Sequence, residues 1–204
     1  MKYFVADAHA DTLYAIAIEE KAPDACAITP GALLSGGVGL QTYALFAGPD
    51  GPSGQPYLKA RRMLERVRDL GVPILTGALP EEAPTSPCGI LSIEGGEVLE
   101  GSFERLDEFA SEGVRMIAIT WNNENELAYP AKNDCGKGLK PLGVEMLRAM
   151  NARGILADVS HLNEAGFYDV VEHSTLPVVA SHSNLRTLAS SRRNLWPDQA
   201  RAIF

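Results

Sequence analysis

The chain has 204 residues, 46% of them hydrophobic and 22% charged, with a formal net charge of −8. That composition excludes a collagen-like repeat, a disordered tail and a disulfide-stapled miniprotein, and the length allows one domain with a sizeable core. The acidic balance argues against nucleic acid or an anionic membrane as the main partner.

Targeting signals are equally sparse. No apolar run nears the roughly 20 residues needed to cross a bilayer, and Asp7 interrupts the N-terminal stretch too early for a signal-peptide core. Cys26, Cys88 and Cys135 are widely spaced without a C-x-x-C, which indicates neither a disulfide framework nor a thiolate zinc site. A reducing, cytoplasmic setting is expected.

In chain order, Tyr3–Ala8 is predicted as the first strand and Val38–Phe46 as the second, with Gly36-Gly37 leading into it. A Gly- and Pro-rich loop over Ala47–Pro56 precedes a helix around Tyr57–Leu70, where Met63, Val67 and Leu70 share a face. The Pro-rich stretch Ala78–Gly89 reads as a loop before a third strand, Gly89–Ile93. Phe103, Leu106, Phe109 and Ala110 make a helical stripe that Gly113 ends, and Val114–Trp121 is the fourth strand. Leu142, Met146, Leu147 and Met150 form the next stripe, opened by Pro141 and closed by Gly154. Strand Ile155–Val159, helix Glu164–Glu172 and strand Pro177–Ala180 follow, and Ala200–Phe204 reads as the middle of a further helix. The strands are apolar on consecutive positions, which suits parallel strands covered on both faces. The alternation predicts a single α/β domain, residues 1–204, with six parallel strands.

Three of the four histidines, His9, His161 and His182, directly follow a predicted strand, at the end where α/β folds carry their sites. The fourth, His173, lies in a helix-like stretch and is read as surface. In His9-Ala10-Asp11 the imidazole and carboxylate are two residues apart, so in an extended strand end they point to the same side. Glu94 ends an apolar strand, where an unpaired acid carries a desolvation penalty. Gly95-Gly96 then removes side chains where something must approach the backbone closely. His161 and His182 are one strand–helix unit apart, which places two imidazoles at one rim. Three nitrogen and two carboxylate ligands suit a two-metal site, with zinc the favoured occupant. Such a pair can ionise a shared water and polarise a carbonyl, so hydrolysis of an amide, ester or related bond is the expected reaction class. No nucleophile elbow, Walker A or dinucleotide loop competes with it.

Five separated motifs, Asp7-Ala8-His9-Ala10-Asp11, Ser92-Ile93-Glu94-Gly95-Gly96, Thr120-Trp121-Asn122, Asp158-Val159-Ser160-His161 and Ser181-His182-Ser183, resemble the membrane (renal) dipeptidase family of metallopeptidases. The resemblance implies a (β/α)8 TIM-type barrel with about six of its eight units in this chain. It implies two zinc ions, one held by His9 and Asp11, the other by His161 and His182, with Glu94 as the bridge. Within Ser190-Ser191-Arg192-Arg193-Asn194, Arg193 matches the arginine that holds the free carboxylate of a dipeptide. Well-studied members carry a substrate-contacting histidine where this chain has Trp121, so Trp121 and Asn122 are the candidate substrate contacts there. The family's proton-shuttling aspartate and two further strands correspond to positions beyond Phe204, so the chain is expected to be C-terminally truncated. The implied activity is zinc-dependent hydrolysis of dipeptides by a metal-bridging hydroxide, with a homodimer as a compatible assembly. The rival expectations are a catalytically silent metal-binding fragment and another amidohydrolase-like enzyme.

Overall fold

A computed structural model describes residues 4–77, 84 and 86–203 of the chain. Its strands are β1 (Val5–Asp7), β2 (Val38–Phe46), β3 (Cys88–Glu94), β4 (Val114–Ala118), β5 (Leu156–Asp158) and β6 (Val178–Val179). All neighbours pair in parallel, and their order across the sheet is their order in the chain. A doubly wound sheet reverses its order at a switch point, whereas a sequential parallel sheet is the wall of a (β/α) barrel. The helices are α1 (Thr12–Ala17), α2 (Pro30–Gly36), α3 (Pro56–Glu65), α4 (Phe103–Ser111), α5 (Pro141–Ala152), α6 (Glu164–His173) and α7 (Pro197–Ile203).

All six predicted strands form, although Tyr3 and most of the Ala78–Gly89 loop lie outside the described residues. Coverage on both faces holds for β2 to β4, whose Tyr43, Leu45, Leu91, Ile93 and Ile117 are buried. It fails at the edge, where Phe4 and Val5 are 47% and 42% exposed, because an edge strand has a neighbour on one side only. The fourth ladder stops at Ala118, three residues short of the predicted Trp121. Ile119 and Thr120 stay buried, but the chain turns there so that Ile119 O can accept the Gly96 amide at 3.2 Å.

Local chemistry accounts for the helix ends. Ser102 caps α4 by accepting from the Arg105 amide at 3.2 Å, and Asn163 caps α6 through Gly166 at 2.9 Å. Pro141 opens α5, and Gly154, with φ +70°, ends its C-terminal turn. The predicted Tyr57–Leu70 helix breaks after Glu65 into a tighter turn over Val67–Leu70, yet Met63 and Leu70 still reach the core. Helices α1 and α2 were not predicted. Six or seven residues show too few turns for a 3.6-residue period to register.

The register positions the site. Phe46, Glu94, Ala118, Asp158 and Val179 form one row across five strands. Trp121, His161 and His182 each lie three residues beyond that row, past the ends of the consecutive strands β4, β5 and β6. Glu94 sits in the row itself, lower in the wall and almost wholly enclosed (3% exposed).

Candidate metal centre

The rim brings together all five expected ligands. Glu94 Oε1 lies 3.0 Å from His161 Nε2 and 3.2 Å from His182 Nε2, while Oε2 lies 3.5 Å from His9 Nε2. Asp11 Oδ1 stands 3.3 Å from the same His9 nitrogen on the more exposed side. His9, Glu94 and His182 present ligand atoms that all fall within 4.8 Å of one another. The His9 and His182 rings lie 4.1 Å apart between centroids and tilted by 35°, and His161 and His182 lie 4.9 Å apart and tilted by 60°. His161 holds a left-handed backbone, φ +68°, which is strained for a residue with a Cβ; its carbonyl is fixed by the Ala131 amide at 2.8 Å.

Electrostatics shows how crowded the centre is. Burial alone would raise the Glu94 pKa, but the surrounding His161, His182 and His9 rings outweigh it and hold the carboxyl well below the usual carboxylate range. Burial opposes a charge on His9 as well; hydrogen bonds and attraction from Asp11 and Glu94 overcome it, and its pKa is pushed up to about 10. Burial holds His161 below its ordinary value, with Arg193 and His182 adding to the effect against Glu94. A neutral ring carries one hydrogen. Asn122 Oδ1, an acceptor 3.0 Å away, takes it at His161 Nδ1, which leaves the Nε2 lone pair facing Glu94. His161 Nε2 and His182 Nε2 are also only 2.9 Å apart. Three ring nitrogens meet one buried carboxylate at 3.0–3.5 Å, which gathers neutral and anionic donors around a single point. The donor set therefore fits divalent metal, and its imidazole and carboxylate make-up suits zinc.

A cavity of about 320 Å³ opens over this centre, lined by the ligands together with Phe46, Trp121, Asn122 and Arg193. Phe46 and Trp121 meet edge to face at 5.1 Å, and Tyr14 packs behind Phe46 at 5.1 Å, so one wall is aromatic. Arg193 forms the opposite, cationic side. Its loop is tied by Arg186, which donates to Asn194 O at 3.1 Å and Arg192 O at 2.6 Å and stacks over Trp196. Asn194 completes the tie by donating to Ala189 O. Arg193 Nη2 reaches His161 Nε2 at 2.8 Å, whereas its Nε is buried with no partner. A guanidinium lining a cavity beside a metal centre is suited to meet an anion.

Phe46 and Asp158 are contributors that the sequence reading did not assign. The argument applied to Glu94, an acid inside an apolar strand, applies equally to Asp158. Phe46 carries the weaker signal of an apolar residue closing a strand beside others that end in site residues. His173, half-buried at the end of α6, takes no part in the centre.

Residues 81–203 match the family model for membrane dipeptidase, peptidase family M19. An uncharacterized protein from the pqqA 5′ region of Klebsiella pneumoniae is 38% identical over 120 residues, covering 56% of this chain and 44% of that protein. An uncharacterized dipeptidase of Schizosaccharomyces pombe is 33% identical over 112 residues, covering 53% of this chain and 27% of the relative. The match thus spans less than half the length of either relative. In fold, the chain superposes along its whole length on 71% of a metallo peptidase from Rhodobacter sphaeroides, solved with a phosphinate mimic of the dipeptide L-Ala-D-Ala, with a TM-score of 0.84 and 22% identity.

Proposed function

The chain belongs to the membrane dipeptidase family, and from that premise we propose that it forms the metal-binding wall of a zinc-dependent dipeptidase. The observation that carries this reading is the convergence of three imidazole nitrogens on the buried Glu94, at 3.0, 3.2 and 3.5 Å. His9 and Asp11 would hold one ion, His161 and His182 the other, and Glu94 would bridge them with its two oxygens. Bound divalent ions of this kind ionise water near neutral pH and polarise a carbonyl oxygen.

The chain's own groups supply the rest. Arg193, which lines the cavity, anchors the substrate carboxylate through its guanidinium fork. That contact selects a dipeptide, because a longer peptide has no terminus at this depth. Arg193 Nη2 lies 2.8 Å from His161 Nε2, so the substrate anchor stands directly beside the metal ligands. Asn122 fixes the His161 ring from behind, and the Phe46–Trp121 wall excludes water from the scissile bond. Trp121 cannot donate a titratable proton as a histidine would, so its contribution is shape and one indole N–H.

A cytoplasmic setting and a homodimer belong to the same proposal, and size-exclusion chromatography tests the second. Among the described residues, no helix is long and apolar enough to cross a membrane. Incubating the longest natural form of the protein, loaded with zinc, with a small panel of dipeptides and their C-terminal amides tests the activity. The free dipeptides should release amino acids and the amides should not. Equal cleavage of both would remove Arg193 from the reading, and cleavage of neither would remove the peptidase activity.

A further inference from the structure

Asp158 closes β5 with its side chain 1% exposed, and the metal-centre reading gives it no task. Its Oδ1 accepts the amide hydrogens of Ser160 at 2.9 Å and Ser181 at 3.1 Å, and its Oδ2 meets the Ser181 hydroxyl. That hydroxyl lies 2.7 Å from His182 Nδ1 and 3.3 Å from Ser160 Oγ. Ser160 Oγ, fully buried, receives the His182 amide at 3.1 Å and the Ser183 hydroxyl at 3.5 Å.

Counting hydrogens settles the direction of each bond. A carboxylate only accepts, so Ser181 gives its single hydroxyl hydrogen to Asp158. Ser160 has both lone pairs engaged and gives its own hydrogen to Ser181. Ser181 then has only a lone pair to offer His182, and His182 Nδ1 must be the donor. A neutral ring with its hydrogen on Nδ1 has a bare Nε2, the atom 3.2 Å from Glu94.

We propose that Asp158 and Ser181 are positioning residues that lock His182 in the Nδ1–H tautomer, presenting its Nε2 lone pair to metal. The inference rests on the metal-centre reading above and extends it from the ligands to the groups that orient them, whose loss elsewhere costs about 10–100-fold in metal affinity. The device spans two strands. Asp158 pairs in register with Val179, and its carboxylate reaches Ser181, two residues further along β6's exit.

Asp158→Asn tests the direction of the relay with almost no change of shape. Its Oδ1 still accepts the two backbone amides, so Nδ2 takes the place of Oδ2 and donates to Ser181. Ser181 then turns its hydrogen toward His182 Nδ1, and the ring adopts the Nε2–H form that cannot ligate. Long-range proton–nitrogen NMR on the full, chelator-treated chain reads the tautomer directly, and competition with a chromophoric chelator reads zinc affinity. We expect the Nδ1–H form in the wild type and in Ser181→Thr, and the Nε2–H form in Asp158→Asn with zinc affinity lower by about 10–100-fold. Ser181→Ala should lose the tautomer preference. If Asp158→Asn does not fold, the contrast between Ser181→Ala and Ser181→Thr decides the matter by the same spectrum. A wild type that takes up zinc while Asp158→Asn keeps the same tautomer and affinity overturns the relay alone. A wild type with the Nδ1–H form but no zinc uptake overturns the metal reading and leaves the relay standing.

Discussion

Replacing Gly96 with alanine probes the joint between Glu94 and the loop after β4. A methyl at residue 96 would lie 2.6 Å from Leu127 Cδ1 and 2.7 Å from Ile119 O. The leucine tip can rotate away, but the Ile119 carbonyl cannot. It already accepts the Gly96 amide at 3.2 Å and Asn125 Nδ2 at 2.8 Å. Ordinary contact begins near 3.4 Å, so the two backbones must part by about 0.7 Å. Forced repacking on this scale costs about 1–3 kcal/mol. For a chain of this size each kcal/mol lowers the melting midpoint by roughly 2–4 °C, so a fall of roughly 2–12 °C is expected.

The functional consequence follows from position. Glu94 lies two residues before Gly96, and Trp121 and Asn122 lie two and three after Ile119, so zinc retention should fall with stability. Gly31→Ala is the control. Gly31 sits in the first turn of α2 with open space around it, and alanine should hold or raise the midpoint there. Calorimetry with metal analysis on both variants checks the pair. A Gly96→Ala protein that melts with the wild type and keeps its zinc would refute the reasoning.

Other perturbations give separable readouts. Glu97 is fully buried, and burial raises its pKa despite the Asn125 hydrogen bond at 2.9 Å. Glu97→Gln should therefore melt no lower than wild type at pH 8, while Glu97→Ala, which leaves one of the two Asn125 Nδ2 hydrogens without its acceptor, should lose about 1–3 kcal/mol in denaturant titration. In the chelator-treated chain, the raised His9 pKa adds stability that is complete below about pH 6.5 and disappears as pH rises through about 10. Metal needs the neutral ring, so the gap between zinc-loaded and stripped melting points should widen over that range; a constant gap would contradict it. Arg193→Ala should raise KM by about tenfold or more with a smaller change in kcat, from loss of a charged hydrogen bond. Arg193→Lys should fall between the two, because a point charge replaces a fork.

Much of the site was readable because buried parallel strands are apolar at consecutive positions. A polar residue ending such a run must stand at the carboxyl rim, which is how Glu94, His161 and His182 declared themselves. The glycines after Glu94 were read as marking a close approach. The structure identifies what approaches: the Glu97 carboxyl at Gly95, and the Ile119 carbonyl with Leu127 at Gly96. Arg193 was legible only through family resemblance, since its placement depends on the long-range ties made by Arg186 and Asn194. The Asp158–Ser181 contact was hidden for a similar reason, joining residues 23 apart through strand register. Helices α1 and α2 escaped because each is stabilised by packing of a few residues, such as Leu13, Ile16 and Leu33, rather than by a long periodic stripe.

Metal analysis of the wild-type chain beside Glu94→Gln, both purified without chelator and confirmed as folded, tests the central claim most directly. Glu94 is the group proposed to bridge the ions, and glutamine keeps its volume while removing the carboxylate charge. About two divalent ions per wild-type chain are expected, with zinc retained best, and a clear loss of metal in Glu94→Gln. A folded wild type that binds no metal, or a Glu94→Gln protein that binds as much, would contradict it.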